Sequence, residues 1–344
     1  MSIFSIKKLG VAAAAAAVIS FVASTASAAP EHNWKVQSFW SPGSVNMKVF
    51  QRFAKNVGDM SNGRIKITPL PIGAVVGHTE TLDAVAAGIL QGHHSGGAYF
   101  AGKEPAFQIC NELNGAFDNT YQHQLWFEHG GGLALCRELY AKFGAFYVGP
   151  VWFGGESMPS KNRLDTVASF KGVKMRSPEG MGASIWRRIG AGVVTLPGSE
   201  VFTALERGVI DATDWGTLGM NQDLGYHKIA PFPLYPGFHS APASEIAINL
   251  GIWNKLPADL KAIMVFAVKE FSRDMKQTIE MVDLEAANQA EKQGITLVNW
   301  SKEERGKFRA IAMLEWEAWA KKSPMARKIV DSQVAFLRKL KLIN

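Results

Sequence analysis

Cysteine, blocks of like charge and recognisable catalytic motifs are the three things this chain has least of. Cys110 and Cys136 are the only cysteines in 344 residues, which excludes a cysteine-rich zinc module and a disulfide-dense scaffold. They leave two readings open, one bridge in an oxidising compartment or two buried thiols. Charged residues are 19% of the chain, and its 37 Lys and Arg against 30 Asp and Glu form no dense basic stretch interleaved with aromatics. That excludes the usual face of a nucleic-acid binder, while the mild positive excess suits anionic solutes. There is no GxSxG elbow, no HExxH helix, no P-loop and no GxGxxG after a strand, so the common hydrolase, metalloprotease, NTPase and dinucleotide-binding signatures are missing. His78, His93 and His94 sit among glycines without the ligand spacing zinc requires. No internal repeat is seen.

What is present begins with an address. Lys7 and Lys8 precede a run of about twenty apolar or small residues from Leu9, and Ala26-Ser27-Ala28 offers a small-residue cleavage site before Ala29. The run is alanine-rich and ends without a charged stop, against a membrane-spanning helix, and no cysteine follows it to carry a lipid. Residues 1–28 are therefore expected to be a signal peptide, and the protein to be a soluble one of the bacterial periplasm. Removing them takes away two lysines and no acid, so the formal charge falls from +7 to +5.

The remaining length, with 47% hydrophobic residues, suffices for two lobes. Trp34 to Phe39 alternates like a half-buried strand. After Pro42-Gly43, Val45, Val49, Phe53 and Val57 recur at helical spacing, with Phe50 and Met60 on the same side; Asn62-Gly63 stops the helix. Arg64 to Thr68 alternates again, Thr79 is placed to cap a short helix ending at Gly88, and Ile89 to Gly92 leads into a third strand. This order predicts a parallel sheet. Gly130-Gly131-Gly132 reads as a helix interruption. Ala145 to Phe153 is an apolar strand crossing to the second lobe, Tyr235 to His239 a return hinge, and Glu245 to Leu250 a strand rejoining the first lobe. From Pro257 the pattern is helical, anchored by Trp316 and Trp319. The expected division is residues 29–150 plus 240–275 for the first lobe, 151–239 for the second lobe with its hinge segments, and 276–344 for helices bracing both.

The most specific stretch is GVKMRSPEGMGASIWRRIGAGVVTLPGSEVFTALERGVIDATDWGT, residues 172–217. It reads as strand, turn, helix, strand, helix, strand, with Arg176 ending the first strand and Asp214-Trp215 the last. In an open α/β layout strand carboxyl ends face the ligand crevice, so these residues should converge there. The stretch, and the LPGSEVFTALERGVIDATDW segment above all, resembles the DctP-type solute-binding subunits of TRAP transporters, and the likeness runs over almost the whole mature chain. The resemblance implies a type II periplasmic-binding-protein α/β fold, with two lobes, a hinge and long C-terminal helices. It also implies capture of a small organic acid and delivery to the transporter's small and large membrane subunits. The 2-oxo acid and lactate binders look most alike, and in them a metal ion bridges protein and substrate.

By that resemblance Arg176 grips the substrate carboxylate, a task for which the planar guanidinium fork is suited. Glu156, Asp214 and the backbone carbonyl of Trp215 match the metal ligands, and Trp215 also walls the pocket. Tyr99, Phe238 and His239 fall near the crevice, with Tyr99 available to a substrate oxygen and Phe238 to exclude water. One position departs from the pattern, because oxo-acid binders carry a neutral amide where Glu156 stands. Two converging carboxylates favour a hard divalent cation, calcium rather than sodium. Glu245 is either a third acidic ligand or a salt-bridge partner. A periplasmic metal-assisted hydrolase or lyase, and a sensor subunit for a membrane kinase, are the competing functions. The absence of a nucleophile and base pair argues against an enzyme. Pyruvate-like, lactate-like and larger 2-oxo acids are the expected ligands, with pyroglutamate and aromatic acids left open by the Glu156 departure, and the C-terminal helices offer a surface for a homodimer.

Overall fold

The alternating and helical patterns of the first hundred residues form one half of a five-stranded sheet. In the computed structural model, which describes residues 30–344 apart from residue 197, β1 (His32–Ser38), α1 (Val45–Met60), β2 (Ile65–Leu70), α2 (Thr81–Ala86) and β3 (Gly92–Ser95) follow in order. Ser44 caps α1 by accepting from the Met47 amide at 3.2 Å. The helix buries Val49, Phe50, Phe53 and Val57 as its spacing predicts, whereas Met60, in its last turn, is exposed. Thr79 does not cap α2, since His78–Glu80 is a separate 3₁₀ turn. The residues expected to form a signal peptide lie outside the described part of the chain.

Helices α3 (Ala106–Asn111), α4 (Thr120–His129) and α5 (Gly132–Ala141) pack against this sheet, and Cys110 on α3 is bonded to Cys136 on α5, Cα to Cα 6.0 Å. The bridge decides between the two cysteine readings. The triple glycine separates α4 from α5 because the Trp126 ring lies against it: a Cβ on Gly132 would fall 2.7 Å from that ring. β4 (Ala145–Trp152) then leaves the first lobe. The second lobe holds β5 (Lys174–Arg176), α6 (Met181–Arg188), β6 (Gly192–Val194), α7 (Val201–Glu206), β7 (Ala212–Thr213) and α8 (Leu218–Asp223), and β8 (Ala243–Asn249) returns. The sheets have the orders β2-β1-β3-β8-β4 and β6-β5-β7.

The first sheet is mixed rather than wholly parallel. β1 pairs parallel with β2 and β3, but β8 inserts between β3 and β4 antiparallel to both. The cause is the chain's double crossing, since a strand that returns from the second lobe enters the sheet from the opposite end. α9 (Leu250–Lys255), α10 (Ala258–Gln289), α11 (Lys302–Ala320) and α12 (Pro324–Lys339) complete the molecule. The expected boundary at residue 275 falls inside α10, which packs on α1 and β4 of the first lobe and on α8 of the second. α11 lies on α6 and α12 on α3 and α5, so the C-terminal helices touch both lobes. No described helix is long and apolar enough to cross a membrane.

Candidate functional site

Parallel pairing in the second sheet brings the key residues together. Arg176 is opposite Thr213 in the β5–β7 register, and the Asp214 amide donates to the Arg176 carbonyl at 3.0 Å. The carboxyl ends of two neighbouring strands thus present Arg176 and Asp214 side by side, as the sequence implied. Arg176 is 4% exposed. Its Nε donates to the Leu196 carbonyl at 3.2 Å and its Nη1 to the Asp214 carbonyl, while its Nη2 makes no hydrogen bond among the described residues. The guanidinium carbon lies 5.3 Å from the centre of the Trp215 ring. The fork is thus held by the backbone on one side and open on the other. Burial pulls the Arg176 pKa down, opposed by Asp214 and Glu156, yet a guanidinium stays charged.

Glu156 arrives from the first crossing. Its amide donates to the Ser240 carbonyl at 3.0 Å, and its Oε2 accepts from Ser240 Oγ at 2.7 Å. The outgoing and returning segments are in backbone contact here, since a Cβ on Gly155 would stand 2.8 Å from the Gly237 carbonyl oxygen and one on Gly237 would collide with that of Glu156. Only glycines permit this approach, and it is what carries Glu156 to Asp214. Donor atoms of Glu156, Asp214 and His239 all lie within 4.8 Å of one another. His239 Nε2 is 3.3 Å from Asp214 Oδ1, and its Nδ1 is buried with no hydrogen-bond partner.

Burial, then the repulsion of Asp214 and of Glu112, pushes the Glu156 carboxyl well above its usual range. Burial works against the charge of Asp214 too, but hydrogen bonds from His239 and Glu156, with Arg176 nearby, hold it below. The two acids thus oppose each other's ionisation, as expected of carboxyls that converge in a buried site. The donors fit a hard cation: Glu156 and Asp214 supply carboxylate oxygens, and the Trp215 carbonyl accepts no hydrogen bond among the described residues. His239, bonded to Asp214, is placed to orient that ligand.

The structure also separates residues that the sequence grouped. Tyr99 reaches the gap from the first lobe, 43% exposed, near enough to Glu156 and Arg176 to feel both charges. Phe238 is a correction. It is 2% exposed, 5.1 Å from Trp300 and 5.5 Å from Phe308 between ring centres, with the Arg305 guanidinium over its face. It packs the core behind the hinge instead of shielding the crevice, while its neighbour His239 is the one that meets Asp214. Glu245 is likewise away from the site, buried in the first lobe with Oε1 3.5 Å from His93 Nε2. His93 and His94 are core residues, each lowered by burial to about 3.

The third acid is Glu112, at the end of α3, which the sequence reading missed. It accepts from Asn114 Nδ2 at 2.8 Å and from the Ala241 amide at 3.1 Å, and its two oxygens lie 3.0 and 3.1 Å from Ser240 Oγ, the hydroxyl that also meets Glu156. Burial and the Asp214 charge push it up to about 8. A carboxylate stranded in the otherwise apolar and neutral AFQICNELNGAF stretch was the available signal.

The family model for bacterial extracellular solute-binding proteins, family 7 (DctP), matches residues 36–322. The chain belongs to this family. A monocarboxylate 2-oxoacid-binding periplasmic protein of a Nostoc species is 32% identical over 90% of this chain and 85% of its own length. The crystal structure of a TRAP periplasmic solute-binding protein of Rhodobacter sphaeroides, in an apo open form, is 42% identical with a TM-score of 0.81, covering 90% of this chain and 99% of that one. Two TRAP relatives hold pyruvate with a metal. The protein of Colwellia psychrerythraea binds it with calcium, at 27% identity and TM-score 0.77. That of Pseudoalteromonas atlantica binds it with sodium, at 26% identity and TM-score 0.75. Each covers 90% of this chain and 95% of the other. This DctP-family protein is thus a TRAP solute-binding protein, a receptor and not an enzyme.

Proposed function

We propose that this protein binds a small monocarboxylate with a 2-oxo or 2-hydroxy oxygen in the periplasm, together with a calcium ion, and hands it to TRAP membrane subunits. The observation that carries this reading is a buried Arg176 fork with Nη2 left unbonded, close enough to the acids Glu156 and Asp214 to feel their charges. The fork binds the carboxylate by charge-assisted hydrogen bonds, and the adjacent ligand oxygen is directed toward the acids, with Tyr99 offering its hydroxyl from the first lobe. A cation held by Glu156, Asp214 and the Trp215 carbonyl would supply the positive charge that both carboxylates lack. Calcium is favoured over sodium because two acids, where oxo-acid binders have one amide and one acid, call for a divalent charge.

Ligand contacts from the first lobe and from the second exist together only when the gap is closed, so binding drives a hinge motion of the segments around Glu156 and Ser240. We assign residues 29–150 with 240–275 to the first lobe and 151–239 to the second. Met281 and Leu284, exposed on α10, are the surface a homodimer would use, and sedimentation of the purified chain tests it.

Thermal shift with a panel of 2-oxo and 2-hydroxy acids, with and without calcium after chelation, tests the function. A true ligand at a hundred times its dissociation constant adds about 2.7 kcal/mol of stability. Arg176→Ala is expected to abolish that shift; a variant that keeps it refutes the clamp. Equal shifts with sodium and calcium would overturn the choice of ion.

A further inference from the structure

Behind the site, α10 places a buried carboxylate against the segment that carries Asp214 and Trp215. Asp283 is 4% exposed, and its Oδ1 accepts from Thr217 Oγ1 at 2.7 Å and from the Gly219 amide at 2.8 Å. Between these contacts and the site lies only Gly216, whose carbonyl is held from the other side by the Ser157 amide and Asn221 Nδ2, each at 2.8 Å. The packing is close throughout. A Cβ on Gly219 would come within 3.1 Å of the Val282 carbonyl oxygen, and one on Gly154 within 3.3 Å of Thr217 Cγ2 and 4.0 Å of Asp283 Oδ2. Three elements, the crossing after β4, the start of α8 and the C-terminal part of α10, therefore meet at one side chain.

A buried acid is a poor choice if the junction needed only packing. Burial pushes Asp283 up to about 6 against the pull of its hydrogen bonds, and a well-fitting apolar residue would avoid that penalty. What an acid provides here is directed acceptors toward both a hydroxyl and an amide of one short loop. The nearest equivalent on the ligand side is the outer carboxylate that fixes a metal-binding group, whose removal weakens binding by about ten- to a hundredfold.

We propose that Asp283 is a positioning residue for ligand capture: by tying Thr217 and Gly219 to α10, it holds Asp214 and the Trp215 carbonyl in place and links the second lobe's swing to that helix. This rests on the function proposed above. The test is isothermal titration of pyruvate with calcium into the chain from Ala29, in wild type, Asp283→Ala, Asp283→Asn, Thr217→Val and the Asn/Val double variant. Asp283→Ala is expected to weaken binding about tenfold or more, and Asp283→Asn, which keeps an acceptor for the Gly219 amide but loses the charge that holds Thr217, to weaken it by a smaller, measurable factor. The double variant is expected to lose no more than the worse single one, since both remove the same tie. Normal affinity in Asp283→Ala despite a lowered melting temperature, or an additive cycle, overturns the proposal. If the alanine variant does not fold, the asparagine variant and the cycle decide. Should wild type bind no pyruvate, the choice of ligand has failed separately, and amide exchange still decides the positioning: the Ser157 and Asn221 amides, which donate to the Gly216 and Thr217 carbonyls, are expected to exchange faster in Asp283→Asn, and unchanged rates sink it.

Discussion

At the residue scale, the site is a contest between burial and charge. Glu112 and Glu156 carry more protons in the folded chain than unfolded, because enclosure and neighbouring acids disfavour their ionised forms. For a carboxyl raised from 4.5 to about 8, the native state binds the extra proton between those values. Stability therefore falls as pH rises through that window and is fully present only below it. The metal-free protein is accordingly expected to melt at a lower temperature at pH 8 than at pH 5, and Glu112→Gln to flatten that slope. Calorimetry across a pH series in chelator checks this, and a stability that climbs from pH 5 to 8 in wild type would contradict it. Glu112 showed in the sequence only as a lone acid in an apolar stretch and Ser240 not at all, because what joins them to the site is one hydroxyl 84 positions from Glu156 and 128 from Glu112. Arg176, Asp214 and Trp215 were legible because they terminate strands in a patterned segment.

At the element scale, the strands and helices follow from period-2 and period-3.6 patterns, and most expected spans match within a residue or two. What the patterns could not give is direction. Nothing in Ala243–Asn249 says that it enters between β3 and β4 antiparallel to both; that follows from where the second lobe ends. The Cys110–Cys136 bridge is a second case, since two cysteines 26 positions apart meet only if α3 and α5 pack together. Closing a loop of that length restricts the unfolded chain by roughly 3–4 kcal/mol on the chain-entropy account. Replacing both cysteines by alanine is expected to lower unfolding stability by about that amount in denaturant titration while leaving ligand specificity unchanged, because the bridge lies in the first lobe away from Arg176. A double variant as stable as wild type would show the bridge to be energetically idle.

At the scale of the whole molecule, function is a change of shape. Arg176, Asp214 and Trp215 belong to the second lobe, Tyr99 and Glu112 to the first, and Glu156, His239 and Ser240 to the crossings between them. On the function proposed above, a ligand held by all of these would close the gap. Small-angle scattering is expected to show a smaller radius of gyration for the wild-type chain saturated with ligand and calcium, and no contraction for Arg176→Ala under the same conditions. Contraction in both would mean that something other than the clamp drives closure. α10 packs on elements of both halves, and the proposed role of Asp283 is to join that helix to the segment carrying Asp214 and Trp215.

By itself, the amino-acid sequence determined the class of protein: an apolar leader, strands and helices in α/β order, and a strand-tip arginine followed by a strand-tip aspartate and tryptophan. These are local signals, carried by residue type and spacing. The tertiary structure alone decided which acids gather around Ser240, that Phe238 turns into the core while His239 faces Asp214, and that a buried aspartate on α10 bonds Thr217 and Gly219. Each of those depends on segments distant in the chain being pressed together, and no short-range pattern encodes such contact.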